Sequence, residues 1–146
     1  MDRFLELYWK RINSSSFIRC LFILCTLAII WLCLVPRPDE FLPPLPFPHF
    51  DKVVHACMFG GWAFLGMLAG WLPYSNRSGR WGWIWSIVAA SSYGFAIEII
   101  QPYFHRGFEW LDFAADTTGA FLAVATIKII WTFFEKGNRK SETLNP

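Results

Sequence analysis

Four stretches of the chain are almost free of charge, and the polar residues collect between them. The first, 17–35, holds only Arg19, which sits near one end and can extend its head into a headgroup layer. The second, 53–72, carries no charge apart from His55 when protonated. The third, 81–101, has Glu98 as its one acid, and the fourth, 110–134, has Asp112 and Asp116 near its start and Lys128 near its end. At 1.5 Å per residue each run is long enough to cross a hydrocarbon core of ~30 Å. Backbone groups in that core find no water, so each run must close its own hydrogen bonds as a helix. Trp and Tyr gather near the ends (Tyr8, Trp9, Trp71, Tyr74, Trp81, Trp83, Trp110), where their amphipathic rings suit the two interfaces. The pattern predicts an all-α membrane protein with four transmembrane helices.

Composition agrees. The chain is 55% hydrophobic and 16% charged, against about 25% charged residues in an ordinary soluble domain. Four such helices in 146 residues leave no amphipathic shell that would bury them in water. The net charge of +2 forms no basic stripe, so no nucleic-acid partner is expected. The predicted organisation is an interfacial N-terminal segment (1–16), a membrane domain (17–134) and a polar tail (135–146). In the first of these, Leu5, Tyr8, Trp9 and Ile12 recur at helical spacing among Arg3, Lys10 and Arg11, as in a short helix lying in the interface. The 17–35 run is longer than a signal-peptide core, and Val35-Pro36-Arg37-Pro38 has no small-x-small cleavage site, so it reads as a retained helix. Cys20, Cys25, Cys33 and Cys57 lie inside apolar runs with no C-x-x-C pair and read as inert thiols.

The basic residues assign an orientation. Arg3, Lys10, Arg11, Arg19, Arg77, Arg80, Lys128, Lys136, Arg139 and Lys140 fall on one side; only Arg37, Lys52 and Arg106 fall on the other. The positive-inside rule places both termini and the 73–80 loop in the cytoplasm. Loops 36–52 and 101–112 then face outward. Acids show the opposite bias, with Asp39, Glu40, Asp51, Glu98, Glu109, Asp112 and Asp116 on the outer side. The positive-inside rule takes no account of acids, so this second asymmetry points to a polar site.

Asp51, Lys52 and His55 open the second helix, and the i,i+4 spacing puts Asp51 and His55 on one face. Ser91, Gly94, Glu98 and Gln101 form a stripe on the third helix, which Pro102 ends. Asp112, Asp116, Gly119 and Ala123 form a matching stripe on the fourth. Small residues in such stripes let helices approach closely, so the acids should face the bundle interior. The connection 103–107 supplies a guanidinium, Arg106. Blander readings exist for most of these groups. Asp51 serves equally as a helix-start acid, Arg106 as a loop staple to Asp112 or Glu98, and His55 as a hydrogen-bonded interior histidine. Gly66-x-x-x-Gly70 is a generic helix-packing motif. Glu98 resists such a reading best, because a carboxylate inside an apolar helix is costly and functional by default.

Asp51-Lys52-x-x-His55 followed by Phe59-Gly60, then Glu98-x-x-Gln101, Arg106, Asp112 and Thr118-Gly119-Ala120, resembles the motif series of the VanZ-like membrane proteins over roughly residues 35 to 123. The chain departs from that pattern at Asp116, where the family often has Asn, and at His105, where a small residue often precedes the Arg. The resemblance implies a bacterial inner-membrane location and a link to glycopeptide resistance of the teicoplanin type, and supplies no biochemical mechanism.

The residues themselves support two readings. In one, Asp51, Lys52, His55, Glu98, Gln101, Arg106, Asp112 and Asp116 bind a polar or phosphorylated envelope component, with Arg106 as a bidentate fork and Lys52 as a point charge. In the other, His55 with Glu98 or Asp112 is an acid–base pair of a hydrolase or transferase acting on a lipid-linked substrate. No nucleophile motif accompanies that pair, since Ser91 and Ser92 lie about two turns deeper than Glu98. No H-x-x-x-H or H-E-x-x-H spacing singles out a metal site among His49, His55, His105 and the acids, and no cofactor is expected. Four helices without an internal repeat argue against a self-contained transporter. The partners expected are membrane lipids and a lipid-linked or cell-wall ligand.

Overall fold

The computed structural model describes residues 16–35, 48–73 and 81–143, the last ten of them as backbone only. The predicted interfacial segment lies outside the described residues except for its final position, as do 36–47 and 74–80. The described residues form four helices and no strand. They are α1 (Ser16–Leu34), α2 (Phe50–Leu68), α3 (Gly82–Ile100) and α4 (Trp110–Thr143). A single 3-10 turn, Gln101–Phe104, follows α3 directly.

Three of the helices are long and apolar enough to cross a membrane: α1, α3 with its 3-10 extension, and α4 over Trp110–Phe133. The chain is therefore a multi-pass helical membrane protein. α2 is not among the three. Its first turns hold Asp51, Lys52 and His55, and Gly60, Gly61 and Gly66 dilute the rest. It is nevertheless the centre of the bundle, touching α1, α3 and α4, with its most extensive contact on α4.

That contact is made by backbone. A methyl group at Gly60 would lie 2.9 Å from the Gly119 carbonyl oxygen, and one at Gly119 would overlap the Ala56 carbonyl. α2 and α4 thus touch where neither has a side chain. Beyond this crossing the interior is aromatic. Trp62 stacks on Tyr93 at 4.8 Å between ring centroids and meets Phe22 at 5.0 Å. The Trp62 indole donates to Thr26 Oγ1 (2.8 Å), and the Tyr93 hydroxyl donates to the Thr26 carbonyl (3.1 Å), which ties α1 to both neighbours.

α2 begins three residues before the predicted 53 and ends four before the predicted 72. Gly70 explains the early end. Its φ of 74° turns the chain into the left-handed region, and Trp71 and Leu72 N–H both return to the Gly66 carbonyl at 3.0 Å. The Gly66-x-x-x-Gly70 pair is therefore not a helix-packing face, because Gly70 terminates the helix. Gly66 stays inside it, against the side chains of Phe22 and Leu72. At the other end of α3, Pro102 enters the 3-10 turn and His105, at φ 61°, closes it.

Candidate functional site: a carboxylate cluster at one end of the bundle

Both stripes read from the sequence turn inward. Gly94, Glu98 and Gln101 are buried on the α3 side, and Asp112, Asp116, Gly119 and Ala123 on α4. The first turns of α2 bring Asp51, Lys52 and His55 to the same depth, because α2 crosses α4 one to two turns further on.

Lys52 organises the outer part of this cluster. Its Nζ lies 2.7 Å from Asp51, 2.5 Å from Glu109 and 2.5 Å from Asp112. The ammonium thus sits as the shared counter-charge of three carboxylates. Lys52 and Asp51 precede the 53–72 apolar run. Partial burial works against the Lys52 charge, yet hydrogen bonds to Asp112, Asp51 and Glu109 outweigh it and hold its pKa above the ordinary lysine value. Burial alone would raise Asp51, but the hydrogen bond from Lys52 keeps its carboxyl below the usual range. Glu109 is the member that sequence reading missed. It sits in a connection, off every helical stripe, and only its place in the outer acidic bias marked it.

Deeper in, His55 Nδ1 lies 2.9 Å from Asp116 Oδ1, while His55 Nε2 is 3.8 Å from Asp112 Oδ2. His55, Asp112 and Asp116 are all buried, and Asp116 is fully so. Asp116 Oδ2 has no hydrogen-bond partner among the described residues. It fits only because position 94 is glycine, where a methyl group would come within 2.7 Å of it.

Glu98 is also fully buried. Its Oε2 accepts the Glu109 backbone N–H at 3.0 Å, placing a negative charge at the start of α4, where the helix dipole favours one. With its amide nitrogen turned toward acceptors, Gln101 donates to the same oxygen (3.2 Å) and to the Gly107 carbonyl (3.3 Å). Glu98 therefore has a structural duty as well as a place in the cluster.

Arg106 stands apart from this convergence. Its Nη1 donates to the Leu32 carbonyl (3.2 Å) at the end of α1, and no carboxylate among the described residues pairs with it. His49 and His105 are exposed, both at a φ of 61°, and neither joins the cluster. Cys20, Cys25, Cys33 and Cys57 are free thiols.

The arrangement gathers five carboxylates, one ammonium and one imidazole, chemistry suited to holding cations, amines and hydroxyls. No family model, curated protein or solved structure matches the chain. The geometry alone therefore defines the class: a multi-pass helical membrane protein with a buried acidic cluster at one end of its bundle.

Proposed function

We propose that the chain crosses the inner membrane four times with both termini cytoplasmic, and that the cluster recognises a polar cell-envelope component at the outer leaflet. The observation that carries this reading is the convergence of Asp51, Lys52, Glu109, Asp112, His55, Asp116 and Glu98 from three separate helix ends. Such a concentration of ionisable groups inside an apolar bundle is expensive and is retained where it acts. Acids outnumber cations here, so amine and hydroxyl groups of the ligand face the cluster. A phosphate or carboxylate, where the ligand has one, meets Arg106 at the rim, since the Lys52 ammonium is already surrounded by three carboxylates. Gln101, fully packed between Glu98 and the 107 carbonyl, positions the rim. The VanZ-like resemblance extends the proposal to teicoplanin-type resistance, tested by the susceptibility of a host expressing the chain.

Two experiments test it. For topology, a cysteine placed near Glu40 should label from outside intact cells, while tags at Ser78 and at either terminus should stay cytoplasmic. Labelling of the Glu40 position only after lysis reverses the orientation. For recognition, the purified protein incubated with envelope lipids should retain one by native mass spectrometry. Arg106→Lys keeps the charge but loses the two-pronged fork, so it should weaken retention of phosphorylated lipids and spare others.

The His55–Asp116 contact favours a second reading, a hydrolase or transferase using His55 as general acid–base. His55→Gln then abolishes turnover by about 10²–10⁴-fold while leaving lipid retention intact. If retention and activity fall together, His55 shapes the binding site and does no proton transfer.

A further inference from the structure

We propose that His55, Glu98 and Asp116 hold a divalent transition-metal ion. One ligating atom from each lies within 4.8 Å of the others, and all three residues are buried. They come from α2, α3 and α4, so no short motif announces them. This goes beyond the recognition reading above and does not depend on which envelope component is bound.

Four observations carry the assignment. First, the inner trio lacks a fixed positive charge: Lys52 is committed to Asp51, Glu109 and Asp112, and Arg106 is turned to the Leu32 carbonyl. Two buried carboxylates around a neutral imidazole are balanced by one divalent cation, which removes the cost of unpaired buried charge. Second, His55 Nδ1 and Asp116 Oδ1 are 2.9 Å apart. Two donors each ~2.0–2.1 Å from a common ion are separated by about 3 Å, so these atoms already sit at the spacing of neighbouring ligands. Third, Asp116 Oδ2 is fully buried with no hydrogen-bond partner among the described residues, although such oxygens are rarely left unsatisfied. Fourth, Glu98 spends Oε2 on Glu109 N–H and the Gln101 amide, bonds that fix the carboxylate as outer-sphere partners fix metal ligands.

The donor set indicates the ion. Mg²⁺ and Ca²⁺ prefer all-oxygen shells, whereas one imidazole with two carboxylates suits Zn²⁺, Mn²⁺ or Fe²⁺. Three protein ligands leave a position for water or for an oxygen of the bound component. The outer acids Asp51, Glu109 and Asp112 also lie close together, but the Lys52 ammonium already sits among them as their cation.

The test uses the full chain in detergent micelles, stripped with chelator and dialysed against Zn²⁺ or Mn²⁺, with bound metal counted by mass spectrometry. Wild type should take up one equivalent. Asp116→Asn and Glu98→Gln, near-isosteric changes that also relieve repulsion, should bind about 100-fold more weakly. Asp51→Asn and Glu109→Gln should bind as wild type does. Uptake well below one equivalent by wild type, or uptake lost in the outer variants and kept in the inner ones, overturns the assignment. X-ray absorption of the zinc-loaded wild type supplies a reading that needs no variant. One imidazole nitrogen among oxygens is expected, and an all-oxygen shell refutes the site.

Discussion

α1 and α2 occupy opposite extremes of this molecule. α1 is the most apolar of the three helices able to cross a membrane, yet only 17% of its most apolar stretch is buried. α2 falls short of that apolarity and buries His55, Phe59, Trp62, Ala63, Gly66 and Met67. In water the ranking would run the other way, because the most apolar segment would take the core. Lipid tails are as apolar as leucine, so nothing drives an apolar helix inward. What selects the centre is what lipid cannot satisfy: ionisable groups, indole and hydroxyl donors, and backbones able to touch. α2 has all three. α1 joins the bundle through Phe22, Thr26, Ile29 and Cys33, and Leu24, Leu27 and Trp31 remain exposed along its outer side.

The comparison breaks most sharply at the backbone crossing. Gly119→Leu should cost more than about 3 kcal/mol and leave little monodisperse protein on size exclusion, since helix backbones cannot step aside as side chains do. Gly61→Leu, one position from Gly60 but with nothing within 4 Å, should behave as wild type. Equal behaviour of the two variants would mean that the helices do not touch as described. Lys52→Met leaves Asp51, Glu109 and Asp112 facing one another without a cation. A loss of about 2 kcal/mol is expected in thermal unfolding, below the usual range for a broken buried pair because Glu109 is half exposed. Adding Asp112→Asn should recover part of it.

Smaller effects are expected on α1. Thr26→Val removes the acceptor of the Trp62 indole and should cost about 0.6 kcal/mol, with a change in Trp emission. Leu27→Ala, on the exposed side, should stay within about 0.5 kcal/mol. A larger loss from Leu27→Ala than from Thr26→Val would show that α1 is held by a face other than the one facing α2.

The four helices were legible because charge-free runs mark them, and their ends fall within four residues of the predicted positions except for that of α4, which runs nine residues past 134 to Thr143 because its polar end can stay helical outside an apolar layer. The inward stripes on α3 and α4 were legible for the same reason: small and acidic residues recur at helical spacing. Partnerships between helices were not. Spacing showed that Gly119 lies on the Asp116 face, but nothing in one sequence says that its neighbour is Gly60 and Ala56 rather than the Gly66 pair. Asp116, and not only Glu98 or Asp112, is the acid beside His55, a matter of how α4 is rotated against α2. Spacing offers Asp112 and Glu98 as partners for Arg106, which instead reaches α1, distant in the chain and adjacent in space. Glu109 lies in a connection where no periodicity operates.

The unbroken course of α4 has a mechanical consequence. Its 34 residues carry Asp112 and Asp116 near one end and pass the backbone crossing at Gly119 before running on to Thr143. By helical rise, Gly119 lies roughly 14 Å from the Trp110 end and roughly 36 Å from the Thr143 end. The crossing leaves α4 little room to shift sideways, so a tilt of the helix would turn about it. A tilt about it moves the long arm some two and a half times as far as the short one, by about 2.5 Å for each ångström at the acidic end. Any push on α4 at its acidic end would therefore show most at the Thr143 end, as the larger arc of one continuous helix.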